Sequence, residues 1–261
     1  MIFRWLTQRR RAKMLSKPFP ESWERWLYEN VVNERHLTAP QKLRLRRLVQ
    51  VFVAEKNWEG CGGLILTDEI RVTVAAQVGL LVAAMDEENF FDHVLSILVY
   101  PTAYVAAGTQ ISRAGLILDG DQLRLGEAWW RGPVILSWSD VKAGGRLETP
   151  GRNLVLHEFA HQLDMMNGRS TDGMPTVQTR AEVERWISVM GPAFEQLVLD
   201  CRQGRRGFID CYGATNPAEF FAVITETFFE RPSAFFPQHV EAYKVLRDYY
   251  RLDPATWRTN V

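Results

Sequence analysis

The sequence predicts an α+β fold, and three observations carry that reading. Short apolar runs bounded by Gly, Pro and Asp gather between residues 94 and 138; segments with helical spacing lie on both sides of them; and the regular βαβ alternation of a parallel sheet is missing. A chain of 261 residues, 46% hydrophobic and 24% charged, can bury a sizeable core as one large domain or two small ones.

Residues 1–20 are basic (Arg9, Arg10, Arg11, Lys13) and end in Lys17-Pro18-Phe19-Pro20. They are expected to form a flexible or loosely docked extension, a solvated arm rather than a tail that touches a membrane or partner, with 21–261 as a single domain. No apolar stretch or small-residue cleavage site follows the basic residues, so no signal peptide is expected. Ser22 is placed to cap a turn carrying Trp23, Trp26 and Leu27 on one face. Thr38-Ala39-Pro40-Gln41 has the form of a capping box with proline in the first turn, followed by Leu45, Leu48, Val49 and Phe52 at helical spacing. Asn57 to Gly63 is a glycine-rich break. The uncharged stretch Val72 to Met85, 14 residues long, is too short for a bilayer and reads as a buried core helix. Strands are expected at Ser96–Tyr100, Tyr104–Ala106, Leu116–Leu118 and Val134–Trp138. Helices resume at Asn153 and run to the end.

Lys and Arg total 31, as do Asp and Glu. A chain without net charge lacks the footprint of a dedicated nucleic-acid binder. Its three cysteines, Cys61, Cys201 and Cys211, are odd in number and lack CxxC spacing. They argue against a disulfide framework and against a cysteine metal site, and make a reducing cytoplasm the default.

The segment Leu156–Asp164 contains His157-Glu158-Phe159-Ala160-His161, an HExxH motif. Helical positions i and i+4 share a face, so both imidazoles can bind one Zn²⁺ while Glu158 projects about 100° round toward a water on the metal. Asn153 can cap this helix and Asn167-Gly168 can end it. A catalytic zinc requires a third protein ligand, and the extension HExxHxxGxxH fails, because Asp164 and Asn167 occupy the Gly and His positions. A second helix must supply the ligand. Asn216-Pro217-Ala218-Glu219 starts such a helix, with Glu219 either a ligand or the return partner of a capping box. Glu226, seven residues on, is a ligand or a partner behind one. Glu182, Glu184 and Glu195 lie in polar surroundings. Asp164 shares the His157/His161 face, where it could orient an imidazole or stand in solvent.

Val155–Asp164, Tyr212–Ala222 and Gly132–Trp138 together resemble the Mlc titration factor A family of bacterial zinc peptidases, over about Trp23 to the end of the chain. The core of that family is similar to the peptidase domain of anthrax lethal factor, a gluzincin. The resemblance implies a zincin-like core with His157, His161 and Glu219 as zinc ligands, Glu158 as general base and Tyr212 facing the site. It further implies a cytoplasmic, aminopeptidase-like enzyme acting on peptides, one that also binds the Mlc glucose repressor and so modulates the sugar phosphotransferase system. Neither direct nucleic-acid binding nor membrane association is expected. The strand after Pro133 is a candidate edge for an extended peptide, and Trp129-Trp130 are candidates for substrate contact or sheet packing. A second class of function is a regulatory protein that titrates a repressor, with catalysis incidental.

Overall fold

The computed structural model describes residues 2–85, 89–102, 132–168, 171–205 and 207–257. The expected strands at 104–106 and 116–118, and Trp129-Trp130, lie outside the described residues.

Helices α1 (Ile2–Leu15), α2 (Glu21–Asn30) and α3 (Ala39–Glu55) come first. Of the two forms expected for this segment the structure has the docked one, with α1 lying against α3: Arg11 donates to Glu55 across 2.6 Å and pairs with Asp92. Its guanidinium also sits 4.5 Å from the centre of the Phe90 ring. Three partners outweigh the charge run that made the segment read as solvated. In α2 the N-cap is Pro20, so Ser22 falls inside the helix and caps nothing. The Thr38–Gln41 capping box forms as expected, with Pro40 in the first turn of α3.

Strand β1 (Asn57–Gly60) then leads through α4 (Asp68–Val82) to β2 (Ser96–Tyr100), and β3 (Val134–Ser137) follows. Among the described residues the sheet is β1-β2-β3 and wholly parallel, with Trp58 opposite Ile97 and Ile97 opposite Val134. The β1–α4–β2 unit is therefore a parallel crossover, the one such unit among the described residues, within a mostly helical α+β chain that lacks regular βαβ alternation. The strand that completes it, Asn57-Trp58-Glu59-Gly60, has no apolar run and sits in the glycine-rich break. Helix α4 is the central core element, buried continuously from Val72 to Val82.

After β3, α5 (Trp138–Gly145), α6 (Leu154–Asp164) and α7 (Arg180–Arg202) precede α8 (Pro217–Glu230), α9 (Pro232–Gln238) and α10 (Val240–Tyr250). The motif helix α6 packs on α4, β3 and, most extensively, α8. Phe159 anchors it, with its ring edge-to-face against Phe52 at 5.7 Å and Phe91 at 5.1 Å. Cys201 at the end of α7 is bonded to Cys211, and Cys61 is free. The odd cysteine count thus conceals one pair. No helix among the described residues is long and apolar enough to cross a membrane.

Candidate metal centre

Two antiparallel helices build the site. The Asn153 side chain caps α6 by accepting from the N–H of Leu156 across 3.0 Å. One turn on, the rings of His157 and His161 stand 4.9 Å apart on one face, opposite the core-facing Phe159. Across from them, the Asn216 side chain accepts from the N–H of Glu219 at 2.9 Å and Pro217 opens α8. Glu219 does not complete the capping box. Its carboxylate turns to the histidines, placing Oε2 3.0 Å from His157 Nε2 and 3.5 Å from His161 Nε2.

Donor atoms of His157, His161 and Glu219 all lie within 4.8 Å of one another, and among the described residues this is the single group of its kind. His157 Nε2 and Glu219 Oε2 are buried and approach closely, yet without the alignment a hydrogen bond needs; Glu158 Oε1 is also buried without a partner. Buried polar atoms are costly to leave unpaired. A cation shared by these donors would satisfy the first two. Two imidazoles and one carboxylate form a donor set that suits a metal ion with a coordination position left open.

Electrostatics point the same way. Burial alone would depress the His157 imidazole, but Glu219, Glu226 and Glu158 around it pull it up to about 10. Glu219 is held well below the usual carboxylate range, against its burial, by His157 and His161. Burial pushes Glu158 up, against the pull of the two histidines. The carboxylates that favour a proton on His157 would equally favour a cation shared by the three donors.

Glu226 resolves into a partner behind the site. Its Oε1 takes His157 Nδ1 at 2.8 Å, while Oε2 accepts from the backbone N–H of Asn153 at 2.6 Å. A proton held on Nδ1 leaves the Nε2 lone pair for a metal. The Asn153 amide also donates to Glu230 Oε1 at 3.1 Å. Asp164 orients neither imidazole; instead it accepts from the N–H of Gly173 at 2.8 Å. Glu182 belongs to a capping box with Thr179, Glu184 pairs with Arg180, and Glu195 is exposed. None approaches the histidines.

Tyr212 lies on the short 3-10 turn Cys211–Ala214 ahead of α8, with its N–H donating to Asp210 at 2.9 Å. Its ring is 5.9 Å from that of His157. The expected candidates His157, Glu158, His161, Tyr212 and Glu219 are thus brought together. Asn153 in its double role, Glu230 and Gly173 were not foreseen. The available signal was Thr225-Glu226-Thr227 and Glu230, polar residues on an otherwise apolar helix and all buried.

The family described as "Glucose-regulated metallo-peptidase M90" matches residues 5–251. The uncharacterized protein slr2042 of Synechocystis sp. is 36% identical over 251 residues, covering 96% of this chain and 90% of its own. Mlc titration factor A of Yersinia pestis is 29% identical over 252 residues, covering 96% and 89%.

Proposed function

Since the chain belongs to the glucose-regulated metallo-peptidase M90 family, we propose that it is a zinc-dependent peptidase with a zincin-like core and aminopeptidase-like specificity. Residues 21–261 form one domain with α1 docked on it, a reading supported by a continuous core from Leu27 to Leu252. The observation that carries the function is the convergence of His157, His161 and Glu219 donors beside a buried Glu158. In this reading the three hold one zinc ion per chain. Zinc held there would supply Lewis acidity and bring the pKa of a water from about 15.7 to about 7.

The chain's own residues do the rest. Glu158 accepts the proton of the attacking water and delivers it to the leaving amine. Its burial raises its affinity for that proton, which suits a shuttle between two partners. Glu226 and Asn153 fix the His157 tautomer. Tyr212 donates its hydroxyl to the oxyanion of the tetrahedral intermediate. Strand β3, paired to β2 and packed beside α6, aligns an extended peptide by strand addition.

The name Mlc titration factor A, borne by relatives in Yersinia, favours a second reading in which the chain also binds the Mlc glucose repressor and modulates the sugar phosphotransferase system. Glu158 weighs for the enzyme, because a metal that only holds structure has no use for a base. A cytoplasmic location accompanies both readings, and the Cys201–Cys211 bond is the feature that weighs against a reducing compartment. The test is zinc content together with hydrolysis of a panel of amino-acid and endopeptide chromogenic substrates, with and without chelator. Chelator-sensitive activity restored by zinc supports the peptidase. A zinc-loaded protein that cleaves nothing on the panel leaves the repressor reading.

A further inference from the structure

The two ligand-bearing helices are stitched at both ends, and only one stitch touches a ligand. At the N-terminus of α6, Asn153 grips Glu226 and Glu230 in the C-terminal half of α8. At the other end, Gly173 of the intervening loop lies between the last residue of α6 and the first residue of α8.

Gly173 is held on three sides. Its N–H donates to Oδ2 of Asp164, the last residue of α6 and fully buried, at 2.8 Å. Its carbonyl accepts from the indole N–H of Trp186 on α7 at 3.1 Å. The Trp186 ring in turn packs edge-to-face on Phe221 of α8 at 5.6 Å. The third side is the backbone of Pro217, the first residue of α8. A Cβ on Gly173 would stand 2.4 Å from the Pro217 carbonyl oxygen and 2.6 Å from its carbon, and φ is +83°. Glycine is demanded twice over, by conformation and by contact. Pro217 is two residues before Glu219, so this contact fixes the backbone close to the point where the Glu219 side chain departs.

We infer that Gly173, clamped by Asp164 and Trp186, is a positioning residue that sets the reach of Glu219 toward the metal. The inference rests on the metal-site reading above. A small displacement suffices to matter, because residues that orient metal ligands commonly change metal affinity about 10–100-fold when removed.

The experiment is Zn²⁺ affinity by competition with a chromogenic chelator, in a double-mutant cycle. Asp164→Ala is expected to weaken zinc binding about 10-fold or more, Asp164→Asn to recover it through its amide oxygen, and Gly173→Ala to weaken it further. In a Glu219→Gln background the Asp164→Ala effect should shrink to less than about 2-fold, because the clamp then has no ligand to position. Unchanged affinity in Asp164→Ala, or an equal loss in both backgrounds, overturns the inference and leaves the metal site standing. Wild-type protein that binds no zinc, or binding indifferent to Glu219→Gln, overturns the metal-site reading itself. Asp164→Ala carries the test should Gly173→Ala fail to fold.

Discussion

The backbone N–H of Asn153 donates to Glu226 across 2.6 Å, and the same carboxylate holds His157 Nδ1 at 2.8 Å. One side chain therefore ties the start of the motif helix to the helix that carries Glu219, and fixes an imidazole as it does so. Glu226→Ala should weaken zinc binding about 10–100-fold, as losses behind metal ligands commonly do, while Glu219→Ala should cost more. If Glu219→Ala kept full metal content and Glu226→Ala lost it, the third ligand would be Glu226.

What the sequence could reveal was whatever depends on neighbours in the chain. The Thr38–Gln41 box, the buried run after Val72 and the i, i+4 histidines are local patterns, and each appears where the spacing puts it. Glu219 was ambiguous because a cap and a ligand demand the same residue at the same position; only the direction of its carboxylate decides. Strand β1 was illegible because Asn57 and Glu59 are exposed, and pairing with β2 rather than an apolar pattern holds it in place. Gly173 was illegible for a further reason: its constraint comes from Pro217, distant in the chain and near only after folding.

Glu158→Gln preserves the shape of the side chain and removes its basic oxygen. Fold and zinc content should persist while peptidase activity falls about 10²–10⁴-fold. Residual turnover above about a tenth of wild type would count against Glu158 as the base. Repressor binding that survives the substitution would separate the two readings of function.

The pH response of the metal-free protein follows from His157. Its pKa rises on folding from 6.5 to about 10, so its contribution to stability is complete below about pH 6.5 and fades as pH climbs through about 10. Thermal melting of chelator-treated protein should therefore fall across that window. Zinc-loaded protein should not follow, because zinc competes with the same proton and gains affinity as pH rises. Parallel curves for the two forms would mean that zinc does not displace that proton.

The Cys201–Cys211 bond joins residues 10 apart in the chain. Closing a loop of that size removes unfolded-state entropy worth about 3 kcal/mol at room temperature. Oxidised protein should melt higher than the same sample treated with a thiol reductant, and Cys201→Ser should abolish the difference. Equal melting with and without reductant would indicate that the two cysteines are already thiols in the purified protein.

Tyr212 separates transition-state chemistry from packing. It follows Cys211 on the turn that precedes α8, and its ring stands 5.9 Å from that of His157. As an oxyanion donor it makes one hydrogen bond that strengthens only as charge develops on the substrate oxygen. Tyr212→Phe should then lower kcat about 10²–10³-fold, leave KM and zinc content near wild type, and leave the melting temperature unmoved. A packing role predicts a different pattern, with turnover near normal because the half-buried ring is still present, and any loss appearing as a lower melting temperature. The ring also neighbours His157, so zinc content must be measured on the same preparation; a kcat loss that tracks zinc loss would assign Tyr212 to the metal site's structure rather than to catalysis. Unchanged kcat in zinc-loaded Tyr212→Phe would remove the residue from the reaction.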